Sequence, residues 1–183
     1  MQLKDPYYVA EVEVPQEVRV TVNGLRVTVE GPKGKLERDF SHAKGVSIRQ
    51  NENKVVVEAF NADRRKKALV GTIAAHIRNM ITGVTKGYRY KLKIVFSHFP
   101  ISVEVKGNQV IIKNFLGEKA PRRANILEGV SVKVVDRDII VEGIDIEKVG
   151  QTAANIELAT KIGEFDRRVF MDGIYIYERG VAE

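Results

Sequence analysis

The segment Val70-Gly71-Thr72-Ile73-Ala74-Ala75-His76-Ile77 occurs a second time near the end of the chain. There the sequence is Val149-Gly150-Gln151-Thr152-Ala153-Ala154-Asn155-Ile156, and five of the eight positions are identical. Around both segments, apolar residues recur three or four positions apart, which indicates one buried face of an amphipathic helix. The small Ala-Ala pair would let each helix lie close to a sheet.

The sequence before each helix also repeats. Two alternating apolar runs flank Asn23-Gly24, and a similar pattern flanks Lys106-Gly107-Asn108 about 83 residues later. Asn-Gly between such runs predicts a β-hairpin whose two turn residues both take positive φ. A second hairpin is predicted around residues 51–53, and its counterpart turns at 136–138. The chain is therefore a tandem of two similar units.

The change of period from two to about 3.6 residues marks where each helix begins. Asn61 or Asp63 is a suitable N-cap for the first helix and Gly83 a suitable stop, whereas the second helix begins near Asp145 and stops near Gly163. The prediction is an α+β fold of two tandem duplicated domains, each a small, mainly antiparallel sheet covered on one face by one main helix. The predicted domains are 1–84, with a helix at about 62–82, and 85–183, with a helix at about 146–162 and a C-terminal extension.

Composition limits the class of protein. The chain has 183 residues, of which 44% are hydrophobic and 30% charged, with no Cys. Disulfides and thiolate metal sites are excluded, and no apolar run approaches the ~20 residues needed to span a bilayer. We expect a cytoplasmic, soluble protein. The 30 Lys and Arg against 24 Asp and Glu give a net charge of +6, which raises the expectation of a nucleic-acid partner without establishing one.

Catalytic patterns are not found. The three His residues stand far apart, outside the usual metal-ligand spacings. Gly31-Pro32-Lys33-Gly34 lacks the glycine spacing and the Lys-Ser/Thr pair of a phosphate-binding loop, and Asp136-Arg137-Asp138 reads as a hairpin turn. We therefore expect no enzyme, no cofactor and no metal site.

Basic residues form four clusters. The first is Arg64-Arg65-Lys66-Lys67 at the start of helix one, where cations oppose the helix dipole at a cost of a few tenths of a kcal/mol. The others are a joint and strand (Lys86, Arg89, Lys91, Lys93), a loop (Lys113, Asn114, Lys119, Arg122, Arg123), and an Arg- and Tyr-rich tail. Cations and aromatic rings together suit an RNA backbone with splayed bases. Because three clusters lie in the joint and second unit, this unit is expected to be the main RNA-facing surface.

Three motifs carry a family resemblance. Phe96-Ser97-His98-Phe99-Pro100-Ile101, Asn114-Phe115-Leu116-Gly117-Glu118-Lys119 and Arg168-Val169-Phe170-Met171-Asp172-Gly173-Ile174-Tyr175 resemble the archaeal and eukaryotic branch of the large-subunit ribosomal protein six (L-six) family. The joint Gly83-Val84-Thr85-Lys86-Gly87-Tyr88 is similar to that of the same family, and the resemblance covers essentially the whole chain.

The resemblance implies a structural, non-catalytic constituent of the large ribosomal subunit. Such a protein binds large-subunit rRNA near the sarcin–ricin loop, where translational GTPases dock, and it has ribosomal proteins as neighbours and no membrane partner. It also implies that the second domain makes the principal rRNA contacts, including its C-terminal extension. The expected contact residues are Lys86, Arg89, Lys91, Lys93, Ser97, His98, Lys113, Asn114, Lys119, Arg122, Arg123, Arg167, Arg168, Tyr175 and Tyr177.

Two other functions remain open at this point. The basic rows could bind an acidic protein partner, in which case the chain would be a protein-interaction module. An enzyme acting on a phosphorylated small molecule is the more distant alternative, because no set of residues supplies an acid, a base and a phosphate site together.

Overall fold

The computed structural model of the chain describes residues 7–163 and 171–182. The chain divides into two compact units, Met1–Lys86 and Gly87–Glu183. The division lies two residues beyond the boundary expected from the sequence. Each unit has its own hydrophobic core, and the α+β class and the duplication are both confirmed.

The described part of the first unit contains six strands and one helix. They are β1 (Tyr8–Glu13), β2 (Arg19–Asn23), β3 (Arg26–Gly31), β4 (Gly34–Asp39), β5 (Val46–Asn51), β6 (Lys54–Ala59) and α1 (Arg64–Thr85). The strands form two antiparallel three-stranded sheets, ordered β1-β6-β5 and β2-β3-β4. The helix contacts strands of both sheets. The unit thus has two small sheets where the sequence pattern predicted one.

The hairpin β2–β3 forms as predicted, but its turn is displaced by one residue. Asn23 pairs with Arg26 in the ladder, which leaves Gly24 and Leu25 as the two-residue loop. Gly24 has φ +64°, whereas Leu25 does not have positive φ. Positive φ at only the first loop residue is the arrangement that favours Gly there. The prediction that Asn and Gly would both be turn residues is therefore wrong.

The helix α1 buries one side of the repeated segment. Val70, Ile73, Ala74 and Ile77 are at most 1% exposed, whereas Ala75 is exposed. Only the first Ala of the pair therefore permits the close approach to the sheets that was expected of both. The 100° rotation between successive helix residues turns Ala75 away from the core.

The ends of α1 agree with one prediction and contradict another. Asp63 is the N-cap, and its side chain accepts a hydrogen bond from the backbone N–H of Lys66. The helix continues past Gly83, which is buried inside it, to Thr85. Gly87 takes the left-handed conformation with φ +80° that a helix stop commonly requires, so the predicted stop at Gly83 is wrong.

The second unit repeats this order and adds one strand. Its elements are β7 (Tyr88–Val95), β8 (Ser102–Lys106), β9 (Gln109–Lys113), a 3-10 turn (Phe115–Gly117), β10 (Arg122–Asn125), β11 (Ser131–Val135), β12 (Asp138–Gly143), α2 (Ile146–Ala159) and β13 (Gly173–Val181). The sheets are ordered β11-β12-β7-β13 and β10-β9-β8. In α2, Val149, Thr152, Ala153 and Ile156 are fully buried, at the same positions of the repeat as in α1.

The strand β13 has no counterpart in the described part of the first unit. It pairs antiparallel with β7 along the edge that corresponds to the free edge of β1. A bulge between Ile176 and Glu178 interrupts the pairing. The described part of the C-terminal extension is therefore an integral strand of the second sheet. The alternation of apolar and polar residues in the sequence does not reveal this pairing, because β7 and β13 are far apart in the chain.

Candidate nucleic-acid interface

The cations of β7 lie in one row on the outer face of its sheet. Leu92 and Ile94 point into the core beneath α2, so Arg89, Lys91 and Lys93 point to the opposite face. Their side chains are 32–49% exposed. The sequence prediction of a cationic row is therefore correct in geometry.

Each cation of this row is paired with a carboxylate of a neighbouring strand. Arg89 Nε lies 2.8 Å from Glu142 Oε1, Lys91 Nζ 3.3 Å from Glu178 Oε2, and Lys93 Nζ 3.2 Å from Asp138 Oδ1. Exposed pairs of this kind contribute about 0–1 kcal/mol, so a phosphate can compete for the cations. The row is thus a surface on which positive and negative charges alternate.

Tyr177 joins the end of this row. Its hydroxyl donates to Asp138 Oδ1 at 2.9 Å, and Lys93 Nζ lies 5.9 Å from its ring centroid. The hydrogen bond from Tyr177, followed by that from Lys93, lowers the pKa of Asp138, and the same carboxylate raises the pKa of Tyr177. The ring is 52% exposed, so a stacking face stays open to solvent.

Tyr175, the other predicted tail residue that the structure describes, does not bond to a charged residue of this row. It lies opposite Lys93 in the ladder of β13 and β7, but its hydroxyl donates to the carbonyl of Met171 at 3.0 Å. Arg167 and Arg168 lie outside the described residues. Among the predicted tail residues that are described, Tyr177 is therefore the one that bonds to the row.

The loop after β9 is held in an unusual conformation. Asn114 and Leu116 have φ of 60° and 52°, and Gly117 has φ +75°. The amide of Asn114 donates to the carbonyl of Pro100 at 3.0 Å, and Phe115 is buried at 1% exposure. The side chain of Asn114 therefore helps to hold this loop in place, in addition to any contact with RNA.

Arg122 uses most of its donors within the protein. Its Nε and Nη2 bind both oxygens of Glu118 at 3.0 and 2.6 Å, and Nη1 donates to the carbonyls of Ala159 and Lys161, each at 3.0 Å. The guanidinium also lies 4.4 Å from the Phe115 ring centroid. Arg122 therefore ties the loop to the C-terminal end of α2, and the hydrogen bond from Arg122 lowers the pKa of Glu118.

The neighbouring cations of this loop are more available. Arg123 is exposed, and its Nη1 makes one hydrogen bond, to the neutral amide of Gln109 at 3.3 Å. Lys119 is exposed and has no hydrogen-bond or ion-pair partner within residues 7–163 and 171–182. Lys113 pairs with Glu104 at 3.0 Å. Arg122 and Arg123 are adjacent in the sequence, but Arg122 is bonded to several groups of the protein whereas Arg123 makes one hydrogen bond to a neutral amide.

The remaining predicted residues lie elsewhere. Ser97 is exposed, and its hydroxyl donates to Oδ1 of the buried Asp172 at 3.2 Å; His98, beside it, is exposed. The second oxygen of Asp172 has no hydrogen-bond partner among the described residues. Lys86 belongs to the first unit, where it caps α1 and its carbonyl accepts from Lys33 Nζ at 2.7 Å.

Comparison of the two copies reveals a feature that sequence reasoning missed. The three outward positions of β1 are Val9, Glu11 and Glu13, where β7 has Arg89, Lys91 and Lys93. The opposing pair Glu13–Lys54 becomes Lys93–Asp138, with the charges reversed. Aligning the two strands by their core residues would have found this signal.

The charge totals of the units differ from the distribution of the basic clusters. The first unit has 15 Lys and Arg against 10 Asp and Glu, and the second has 15 against 14. The larger positive surplus therefore belongs to the first unit. The second unit also contains more Asp and Glu residues than the first, so a count of its Lys and Arg residues alone overestimates its net positive charge.

Comparison with known proteins identifies the family. The sequence profile described as ribosomal protein L6 matches residues 14–87 and 99–173, one segment in each repeat. This chain belongs to the ribosomal protein L6 family. The family is structural and not enzymatic, in agreement with the expectation from the sequence.

Curated relatives agree over almost the full length. The chain is similar to large ribosomal subunit protein uL6 of Ignicoccus hospitalis, at 68% identity over 94% of this chain and 95% of the relative. It is 65% identical to the protein of the same name from Aeropyrum pernix, over 97% and 98% of the two chains. The corresponding protein of Staphylothermus marinus is 62% identical over 99% and 100%. These archaeal relatives match the branch of the L6 family that the sequence motifs indicated.

Two further features of the described residues concern metal ions and membranes as partners. No group of acidic and His side chains within the described part of the chain is arranged to hold a metal ion. Neither of the described helices is long and apolar enough to cross a membrane.

Proposed function

We propose that this chain is a structural constituent of the large ribosomal subunit and binds large-subunit rRNA chiefly through its second unit. The observation that carries the proposal is 68% identity, over 94% of the chain, to a protein named large ribosomal subunit protein uL6. The chemistry of the second unit is consistent with this role, because exposed cations, amides and an aromatic ring lie on elements held in place by the core.

Two parts of the second unit are proposed to contact RNA. The first is the loop that presents Lys119 and Arg123, whose charges have no carboxylate partner among the described residues. The second is the row of β7, where phosphate oxygens would replace Asp138, Glu142 and Glu178 as partners of the cations. Arg122 acts differently, because it fixes the loop and does not itself bind phosphate.

From the family resemblance we also propose the location of the protein. The bound rRNA would lie near the sarcin–ricin loop, close to the docking region of translational GTPases and beside other ribosomal proteins. The protein would accordingly be found on cytoplasmic ribosomes.

The test is the salt dependence of RNA binding. Full-length protein and a Lys119→Glu, Arg123→Glu double variant are titrated against large-subunit rRNA in a filter-binding assay at several KCl concentrations. The variant should bind more weakly and lose about 1–2 from the slope of log K against log salt, because each neutralised phosphate contributes about 0.9. Lys106→Glu, Lys148→Glu is the matched control, with the same charge change at exposed lysines of the same unit.

Four results bear on the proposal. Binding by the wild-type protein with a steep salt slope supports it, and so does a loss specific to the loop variant. Equal affinities for the loop variant and the control would overturn the assignment of this loop. Failure of the wild-type protein to bind the rRNA would overturn the proposed function itself.

A further inference from the structure

The positive charges in the first turn of α1 do not stabilise the helix. Arg64, Arg65 and Lys67 are exposed, and the turn contains no acidic residue. Cations at a helix N-terminus oppose the dipole, and Arg64 and Lys67 are like charges three residues apart. In α2 the first turn contains an acidic residue, Glu147, which follows the N-cap Asp145.

The basic turn is also an addition to the shared scaffold. When Val70 and Val149 are matched, α1 begins three residues earlier than α2. The extra residues include Arg64 and Arg65. They are therefore absent from the part of the helix that both copies need in order to fold.

Among the described residues of the unit, Lys66 is the one of these four cations whose side chain has a partner. Its Nζ lies 3.5 Å from the carbonyl of Phe60, and its side chain covers Gly45, where an added Cβ would lie 2.9 Å from Lys66 Cε. Within residues 7–163 and 171–182, the side chains of Arg64, Arg65 and Lys67 have no hydrogen bond, ion pair or ring contact. This distinguishes them from the β7 row, in which every cation has a carboxylate.

An exposed aromatic ring lies beside this turn. Phe60 is 64% exposed, and its ring packs on Tyr7 with centroids 4.9 Å apart. The Tyr7 hydroxyl donates to Glu58, which also accepts from Arg49 Nε at 3.0 Å. The Phe60 ring is therefore supported from one side and open on another. The bond from Lys66 Nζ to the Phe60 carbonyl places the backbone of Phe60 next to the start of the helix, four residues before Arg64.

We propose that this surface is a second RNA-binding site, on the first unit. Arg64, Arg65 and Lys67 would neutralise phosphates, and Phe60 would stack on an unpaired base. The inference rests on the proposed function and extends it to the unit that carries the larger surplus of positive charge. Cations alone would suit any acidic partner, but cations beside an open ring suit single-stranded or looped RNA, which offers phosphates and bases together.

The first test uses charge removal with a matched control. Arg64→Gln, Arg65→Gln, Lys67→Gln is compared with Arg19→Gln, Lys35→Gln, Arg78→Gln in the full-length protein. Both sets remove two Arg and one Lys from exposed positions of the first unit without a side-chain partner in the described chain. The first set should lower the slope of log K against log KCl for large-subunit rRNA by about 2 to 3, and the control should change it by less than about 1.

Thermal unfolding of the same proteins separates binding from stability. Removing cations from the start of α1 should raise the Tm by a few degrees, because an unfavourable interaction with the helix dipole disappears. If these cations bind RNA, the triple variant should bind rRNA more weakly and have a higher Tm than the wild-type protein. If they instead stabilise the fold, the triple variant should have a lower Tm.

A Phe60→Ala variant tests the stacking part of the surface. It should weaken rRNA binding by about tenfold, or about 1.4 kcal/mol, because the stacking of one base on the ring is lost. It should leave the salt slope unchanged, because no ion is released when a base stacks.

The outcomes are distinguishable from failure of the proposed function. If wild-type protein does not bind large-subunit rRNA, the proposed function fails. If wild-type protein binds and the triple variant matches its control in affinity and slope, this inference is overturned while the proposed function stands. Loss of a ribosomal-protein neighbour from the variant, with RNA binding intact, would likewise overturn it and assign the surface to a protein contact.

Discussion

Replacing Arg122 by Ala should destabilise the second unit much more than replacing its neighbour Arg123. The Arg122 guanidinium makes two charge-assisted hydrogen bonds to the carbonyls of Ala159 and Lys161, each at 3.0 Å, and a bidentate pair with Glu118. Its side chain is 27% exposed. The substitution removes all of these contacts at once, together with the packing on the buried Phe115 ring.

The size of the effect follows from these contacts. Two hydrogen bonds to carbonyls that water can partly reach contribute about 1 kcal/mol each. The pair with Glu118 adds about 0.5–1 kcal/mol at this exposure, and the cation–π contact about 0.5–1 kcal/mol. The expected loss is therefore about 3–4 kcal/mol. Arg123→Ala removes one hydrogen bond to Gln109 and should cost less than about 0.5 kcal/mol.

Urea unfolding of the full-length variants, monitored by circular dichroism, measures this difference. RNA binding adds a second readout, because Arg122→Ala should leave the salt slope unchanged under conditions in which it is folded, whereas Arg123→Ala should reduce it by about 1. Equal losses of stability for the two variants would refute the structural role of Arg122. A lower salt slope for folded Arg122→Ala would show that it binds phosphate directly.

Two further predictions concern the same unit. Tyr177→Phe should move the pKa of Asp138 up toward its ordinary value in a carboxyl NMR titration, because the hydroxyl is the largest cause of its lowering. The lowered pKa stabilises the fold at pH values above the ordinary pKa of Asp, and this stabilisation is lost as the pH falls through the lowered pKa. The stabilities of the wild-type protein and the variant should therefore converge in acid. An unchanged pKa of Asp138 in the variant would contradict the hydrogen bond from Tyr177. Gly117→Ala should cost about 1–3 kcal/mol in urea unfolding, because φ is +75° and the new Cβ would lie 3.2 Å from the Phe99 ring. Gly107→Ala, with φ +61° and no atom within 4 Å, should cost less, and equal losses would show that contact with Phe99 is unimportant.

Local sequence signals predicted the local structure well. The alternation of Val residues around Asn23-Gly24 correctly gave a hairpin, and the 3.6-residue period gave α1 with its cap at Asp63. The error at Gly83 arose because a Gly was read as a stop although the apolar stripe continues to Val84, which is fully buried. Local patterns thus fix the type of an element better than its end.

The candidate site was harder to predict because its chemistry depends on distant partners. Lys91 and Lys93 alternate correctly, but the carboxylates that pair with them come from Glu178 and Asp138 on other strands. Nothing in the sequence distinguishes Arg122 from Arg123, because the two carbonyls that bind Arg122 come from Ala159, at the end of α2, and from Lys161 just after it. No local pattern contains these pairings, since they follow from sheet order and from packing against the helix.

The most direct test of the central claim is a chemical footprint of the full-length protein on large-subunit rRNA. We expect protection confined to a few segments that include the sarcin–ricin loop region. Protection there should disappear with the Lys119→Glu, Arg123→Glu variant and persist with Lys106→Glu, Lys148→Glu. Uniform or absent protection by the wild-type protein at moderate salt would contradict the claim that this chain is a specific rRNA-binding constituent of the large subunit.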